Sequence, residues 1–233
     1  MNAHASLQKS RYTAFTLIEL LAVIAIISLL MGLLFPVLAK AKDRARRLSA
    51  ATAVRTVVTA CKGYYMEYGK YPRVQGALEG GKSYYSYGDT RVGGCAVTND
   101  QLFDILRSIN RGVNSNHAMN PRQTTYLEVK VAQDTSNPRD GFVDSSRFTG
   151  GAQGQLMDPW GAQYCIVLDA TDSGKMDMSG FFSDLAGSPN LVHASAAVFS
   201  MGGDSKRGGN GYQNQLRKPG SGQQEMDDIV SWQ

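Results

Sequence analysis

Histidine is scarce in this chain of 233 residues, and His4, His117 and His193 make no metal-ligand spacing. No nucleophile, base and orienting group stand together either, so catalysis has no candidate residues. Cysteine is nearly as rare. Cys61, Cys95 and Cys165 allow at most one internal disulfide, in any of three pairings; Cys61 and Cys165 also read simply as small buried apolar residues. An excess of positive charge is missing: the net charge is +4, which leaves no electrostatic footprint of a nucleic-acid binder. "GGDSKRGGNG" lacks the G-K-[ST] of a phosphate loop, and "DATDSGKMD" has its acids at the wrong spacing for an EF-hand.

Long apolar sequence is present, in one place. From Leu20 to Ala39 no residue is charged, and roughly 20 helical residues cross the ~30 Å hydrocarbon core of a bilayer. Before this run lies "MNAHASLQKSRYTA", with Lys9 and Arg11 and no acid. That is the n-region of an export signal, but an ordinary secretory signal has an apolar region of only about 7–15 residues followed by a small-residue cleavage site. No such site lies between Leu38 and the basic cluster that follows. Any cut therefore falls before the apolar run.

Glu19 is the one carboxylate near the start of the run. With Thr16 it spells a T-x-x-E capping box, in which hydroxyl and carboxylate each satisfy an orphan backbone donor and the charge suits the helix dipole. An ionisable group near membrane depth costs about 2.5–3.5 kcal/mol at mid-helix and usually has a partner or a task. A cut between Ala14 and Phe15 would create a new α-amino group on this helix end. Glu19 of one chain then pairs with the amine of its neighbour and sets their register.

A short basic leader, a small residue, "FTLIELLAVIAIISLL" with Glu at the fifth place after the cut, and Pro36 further on together resemble the class III signal of type IV pilins and of the pseudopilins of type II secretion. The resemblance implies cleavage after Ala14 by prepilin peptidase, N-methylation of Phe15, and assembly into a helical filament with Glu19 on the next subunit's N-terminus. Identical and related pilin subunits and an inner-membrane assembly machinery are the implied partners. Gly, the usual residue before the cut, is here Ala14. The implied location is the inner membrane, single-pass, with the soluble domain outside the cytoplasm.

The expected organisation is a leader at 1–14, a long helix at 15–68 with its membrane span at about 15–39, and a globular domain at 69–233. Apolar or small residues at Leu38, Ala41, Ala45, Leu48, Ala51, Val54, Val58, Cys61, Tyr65 and Tyr68 recur in steps of three and four and mark one helical face. Gly69 and Pro72 end the helix near Tyr68. Pro36 removes a backbone donor and crowds the Gly32 carbonyl, which predicts a kink or a locally melted turn. Lys40, Lys42, Arg44, Arg46 and Arg47 against Asp43 would put the far side in the cytoplasm by the positive-inside rule. The more specific leader overrides it. The basic cluster then faces other subunits or outer-leaflet headgroups, or is a solvated helix face.

The stretch 73–155 reads as an insertion. "TNDQLFDILRSINRG" predicts a short amphipathic helix with a Thr98–Gln101 capping box and Gly112 as its stop, and "TTYLEVKVA" a strand. "QGALEGGKSYYSYGDTRVGG" and "QDTSNPRDGFVDSSRFTGGAQG" read as loops. Tyrosines at 64–71 and 84–87, among Lys62, Lys70 and Lys82, pack between helix and loops or form a stacking platform for nucleic acid or sugar. Further on, "LMDPWGAQYCIVLDA" predicts a turn and an apolar strand, and "HASAAVFSMGGD" its antiparallel partner.

The order D-P-W-G-x-x-Y, then F-S-x-G-x-D-x-x-x-G-G, then D-I-x-x-W is similar to the major pseudopilin of type II secretion. That resemblance implies an α+β pilin fold, a long helix laid on a small antiparallel sheet. It also implies a calcium ion after the last strand, with Asp204 as first acidic ligand, Met201 giving a backbone carbonyl, and Asp227 with Asp228 as the second acidic cluster. Hard oxygen donors on a Gly-rich loop suit calcium. Here "YQNQLRKPGSGQQE" lengthens that loop and adds Arg217 and Lys218. Two functions of different kinds follow: a structural filament subunit, or a membrane-anchored protein binding polysaccharide or DNA.

Overall fold

The structure is a computed structural model. It describes residues 16–78, 82–91, 94–134, 136–144, 153–182, 191–207 and 228–232. Two compact units divide the chain, Met1–Arg44 and Ala45–Gln233.

Helix α1 is Leu17–Tyr68, and it contains Pro36 without interruption. The melted turn expected there does not occur. Leu, Ala and Ile dominate the first half, and residues 16–42 are all exposed. A polar group inside such a stretch must be satisfied locally, and Ser28 does this by donating its hydroxyl to the Ile24 carbonyl at 2.7 Å. The helix ends as its sequence directs. Gly69 takes φ +66°, a conformation that costs glycine nothing, and its N–H donates to the Tyr65 carbonyl at 2.8 Å.

Within the second unit, α1 buries Ala50, Val54, Val57, Ala60, Cys61 and Tyr64. The expected stripe is met at Val54 and Cys61, with Val58, Tyr65 and Tyr68 at the core's edge, but its centre lies about one residue earlier and its members before Ala50 are exposed. Leu48 is 69% exposed, while Val57 and Tyr64 are buried more deeply than their neighbours Val58 and Tyr65. Both members of each neighbouring pair carry large apolar bodies, so periodicity in the sequence does not separate the two faces.

Strands β1 (Tyr84–Tyr87), β4 (Cys165–Asp169), β5 (Ala196–Ser200) and β6 (Ile229–Val230) form one antiparallel sheet in the order β1-β4-β5-β6. Between β1 and β4 the chain forms helix α2 (Asp100–Leu106) and a two-stranded ladder of β2 (Gly141–Phe142) with β3 (Leu156–Met157). A long helix with a small antiparallel sheet makes the fold α+β, consistent with a pilin. Alternate residues of the sheet serve two cores. Tyr85, Tyr87, Ile166, Leu168, Ala196 and Val198 pack with α1 and α2 on one face. Tyr84, Cys165, Val167, Ala197 and Phe199 pack on the other with Met176, Met178, Phe181, Phe182 and Val192. This two-sided burial explains the unbroken apolar run "CIVL" at the sheet's centre.

The middle of the chain is integral to this fold. It supplies β1, from the Tyr-rich stretch that reads as a loop, because aromatic side chains suit a pleated surface with cover on both faces. It also supplies α2, whose Leu102, Phe103, Ile105 and Leu106 are fully buried. The Thr98–Gln101 box does not start that helix. Asn99 stands at its N-cap without a side-chain cap, and the Asn99 amide instead donates to the Leu156 and Tyr164 carbonyls, both at 3.0 Å. The helix ends at Leu106, before Gly112. "TTYLEVKVA" is not a strand: only Val131 bridges, to Phe142. In the second stretch that reads as a loop, Gly141 and Phe142 form β2.

The tyrosines pack. Tyr64, Tyr71, Tyr84, Tyr85 and Tyr87 are buried. Tyr64 donates to the Met119 carbonyl at 2.6 Å, Tyr71 to Ser195 Oγ at 2.8 Å and Tyr87 to the Pro72 carbonyl at 2.7 Å. Amphipathic rings with bonded hydroxyls are ordinary core.

Candidate processing and assembly site

Thr16 and Glu19 build the N-terminus of α1. Thr16 N–H and Thr16 Oγ1–H both donate to Glu19 Oε2, at 2.9 and 2.6 Å, and Glu19 N–H donates back to Thr16 Oγ1 at 3.3 Å. The reciprocal box read from T-x-x-E is therefore formed. Both bonds from Thr16 fall on one carboxylate oxygen, and an ionised carboxylate has about four acceptor positions. Capping and pairing with a cation of another chain are compatible. Ala14 and Phe15 lie outside the described residues.

Around this cap the helix presents Leu17, Ile18, Leu20, Leu21, Ile24 and the apolar residues that follow, all exposed. The helix is long and apolar enough to cross a membrane. Gly32 and Pro36 both lie within it.

The C-terminal signature residues come together in an unexpected way. Asp158, at the start of D-P-W-G, is fully buried, and its Oδ1 accepts the N–H groups of Trp160 (3.0 Å), Gly161 (2.8 Å) and Ala162 (2.9 Å). Its Oδ2 accepts the hydroxyl of Ser200 at 2.6 Å. Ser200 is the serine of F-S-x-G-x-D, so one carboxylate ties the two signature segments together. Burial pushes the Asp158 carboxyl upward in pKa, against the pull of the Ser200 hydroxyl and the three amides. Asp104 is raised by burial too, opposed by the two-point ion pair it accepts from Arg111. No local pattern announces the Ser200 contact, since the partners are separated by 42 positions.

The residues expected to hold calcium are partly described. Phe199 pairs with Val230 and Ser200 with Ile229, so continuing that register sets Met201 across from Asp228. Asp204 follows in the turn at 202–205, where its Oδ1 accepts the Lys206 N–H at 2.8 Å. Asp227, Arg217 and Lys218 lie outside the described residues. Among the described residues no group of three or more His, Cys, Asp or Glu is placed to hold a metal. Two carboxylates and a carbonyl at one end of the sheet are an incomplete oxygen set for an ion that takes about six to eight ligands.

Residues 9–35 match the family description "Prokaryotic N-terminal methylation motif". The matched segment contains Ala14, Phe15, the Thr16–Glu19 box and most of the apolar run. It supports a type IV pilin-like, membrane-anchored, single-pass protein that is processed by prepilin peptidase. No curated protein and no solved structure matches the chain.

Proposed function

We propose that this chain is a structural subunit of a type IV pilus or a type II secretion pseudopilus, cleaved after Ala14, N-methylated at Phe15 and polymerised through α1. The observation that carries this reading is the exposed apolar helix with one capped carboxylate, Glu19, in its first turn, inside the matched methylation motif. In water, such a surface costs about 25 cal/mol for each Å², and lipid before assembly or sister helices after it would cover it. The inner-membrane assembly machinery moves the subunit from one environment to the other, with the domain outside the cytoplasm. Gly32 and Pro36 weaken helical bonding in the last third of the span and let it bend as neighbours pack.

Intact mass and N-terminal sequencing of protein from its native cells test the reading. The expected N-terminus is N-methylated Phe15. Recovery of the whole chain, or of a chain cut after Ala39, would remove the basis for it. The other reading, a prepilin-type anchor bearing a polysaccharide- or DNA-binding domain, draws on the tyrosines, and their burial and hydrogen bonding disfavour it.

The likeness to the major pseudopilin rests on the order of the signature segments, two of which meet in this chain through Asp158 and Ser200. Calcium at Met201, Asp204, Asp227 and Asp228 belongs to the same proposal, with water or further loop oxygens completing the shell. An ion that binds only the folded state raises its melting midpoint by mass action. In the full-length protein in detergent, chelation is expected to lower the midpoint, and Asp204→Ala to abolish the response. A midpoint indifferent to calcium and chelator alike would sink the metal site and leave the filament reading standing.

A further inference from the structure

All three thiols are unbridged here, and they are not equivalent. Cys61 sits on α1 in the core that covers one face of the sheet, while Cys95 and Cys165 sit in the core on the opposite face. The sheet therefore separates Cys61 from the other two. Cys95 follows Gly94 in the connection from β1 to α2, and Cys165 opens the central strand β4. The two meet over Gly88: a Cβ built on that glycine would stand 2.8 Å from Cys95 Sγ and 2.9 Å from Cys165 Sγ. Gly88 also has φ +153°, which side chains rarely adopt, so both sulfurs share a space that only glycine leaves open. The neighbouring Cys165 thiol adds to burial in pushing the Cys95 thiol upward.

We propose that Cys95 and Cys165 close into a disulfide when the domain reaches an oxidising compartment, and that Cys61 stays a thiol. The proposal rests on the export reading above for its compartment, since disulfides persist outside the cytoplasm. The oxidant is a disulfide, of a small thiol or of a protein thiol oxidase. Cys95 thiolate attacks one sulfur of that disulfide and releases a thiolate, forming a mixed disulfide. Cys165 thiolate then attacks Cys95 Sγ and releases the second. The pair loses two electrons, the oxidant gains them as two thiols, and the two cysteine protons pass to the released thiolates. Burial holds the Cys95 thiol well above the usual thiol range and pushes Cys61 up to about 12. Thiolate is thus scarce once the cores have closed, and oxidation belongs to the folding chain.

The bond would fasten the β1–α2 connection to the sheet's central strand. Closing so long a loop restricts the unfolded chain, and reduction is expected to lower the melting midpoint by roughly 5–15 °C.

The test uses the full-length protein from native membranes, denatured in the presence of an alkylating reagent and analysed without reduction. One alkylated thiol at Cys61 and a peptide pair linked through Cys95 and Cys165 are expected. The same spectrum reads the N-terminus. A chain beginning at Phe15 with Cys95 and Cys165 alkylated would overturn the disulfide and leave the filament reading intact. An unprocessed chain would overturn the filament reading, and the pairing is then decided by refolding the full-length protein with oxidised glutathione in detergent. A predominant Cys95–Cys165 bond supports the assignment, and bonds through Cys61 or a statistical mixture overturn it.

Discussion

Glu19→Gln is expected to give a protein that is processed and membrane-inserted yet absent from filaments. Gln is an accepted residue at this position of a capping box, so the bonds with Thr16 N–H and Oγ1 survive in large part and the helix still begins at Leu17. What the substitution removes is charge. A carboxylate held against a neighbour's α-amine among apolar helices forms a charge-assisted pair in a poor dielectric. Deleting one partner of such a pair costs about 2–5 kcal/mol, because the other charge is left buried and alone. Each subunit addition then weakens roughly 30-fold or more, which repeated along a filament amounts to loss. Sheared filaments and membrane fractions probed for the chain measure this directly. Normal amounts in the filament fraction would leave capping as the whole task of Glu19.

Asp158→Ala should destabilise the soluble domain by about 3 kcal/mol or more, a fall of roughly 6–12 °C in the melting midpoint. The substitution strands the Trp160 and Ala162 N–H groups and the Ser200 hydroxyl, while Gly161 N–H keeps only its 3.1 Å bond to the Asp158 carbonyl. Ser200→Ala removes the bond to Asp158 and the one its Oγ accepts from Gly202 N–H at 3.1 Å, and is expected to cost about 1.5–3 kcal/mol. In a double-mutant cycle the two changes should be non-additive by about the worth of the Asp158–Ser200 bond, which each single change already removes. Asp158→Asn keeps an oxygen for the three amides and can donate to Ser200, and burial already disfavours the ionised form, so it should be the mildest of the three. An Asp158→Ala protein as stable as the parent would show that the D-P-W-G turn is held by something else.

The legible parts of this protein are those in which one local rule decides. The end of α1 is set by Gly69 and Pro72, the capping box by Thr16 and Glu19, and the central strands by the apolar runs "CIVL" and "AAVF". Sequence reading fails where tertiary partners choose between near-equal options. Val57 and Val58 are equally apolar, and only the sheet selects the first. Tyr84–Tyr87 is flanked by Gly, Lys and Asp, and it becomes a strand because β4 offers it a ladder, with Tyr85 opposite Leu168. Thr124–Ala132 has the composition of a strand but gains only the Val131–Phe142 bridge. At the candidate site, T-x-x-E and the leader were readable because both are local. The Asp158–Ser200 bond and the meeting of Cys95 with Cys165 were not, because spacing along the chain carries no information about which strands become neighbours.

The margins of the four-stranded sheet have a consequence for a molecule kept at high local concentration. Any strand with an open ladder invites a copy of itself to add on, the route to lateral fusion and aggregation. Here the outer side of β1 is occupied by its own chain, with Ser86 N–H donating to the Ala77 carbonyl at 2.9 Å and Gly88 N–H to the Val97 carbonyl at 2.7 Å. The opposite margin, β6, is two residues long. Among the described residues, neither side offers a neighbouring copy a run of unpaired backbone long enough to extend the sheet. In the filament proposed above, crowded domains would then slide and rotate against one another without knitting together, and the choice of how copies join would be left to the helix.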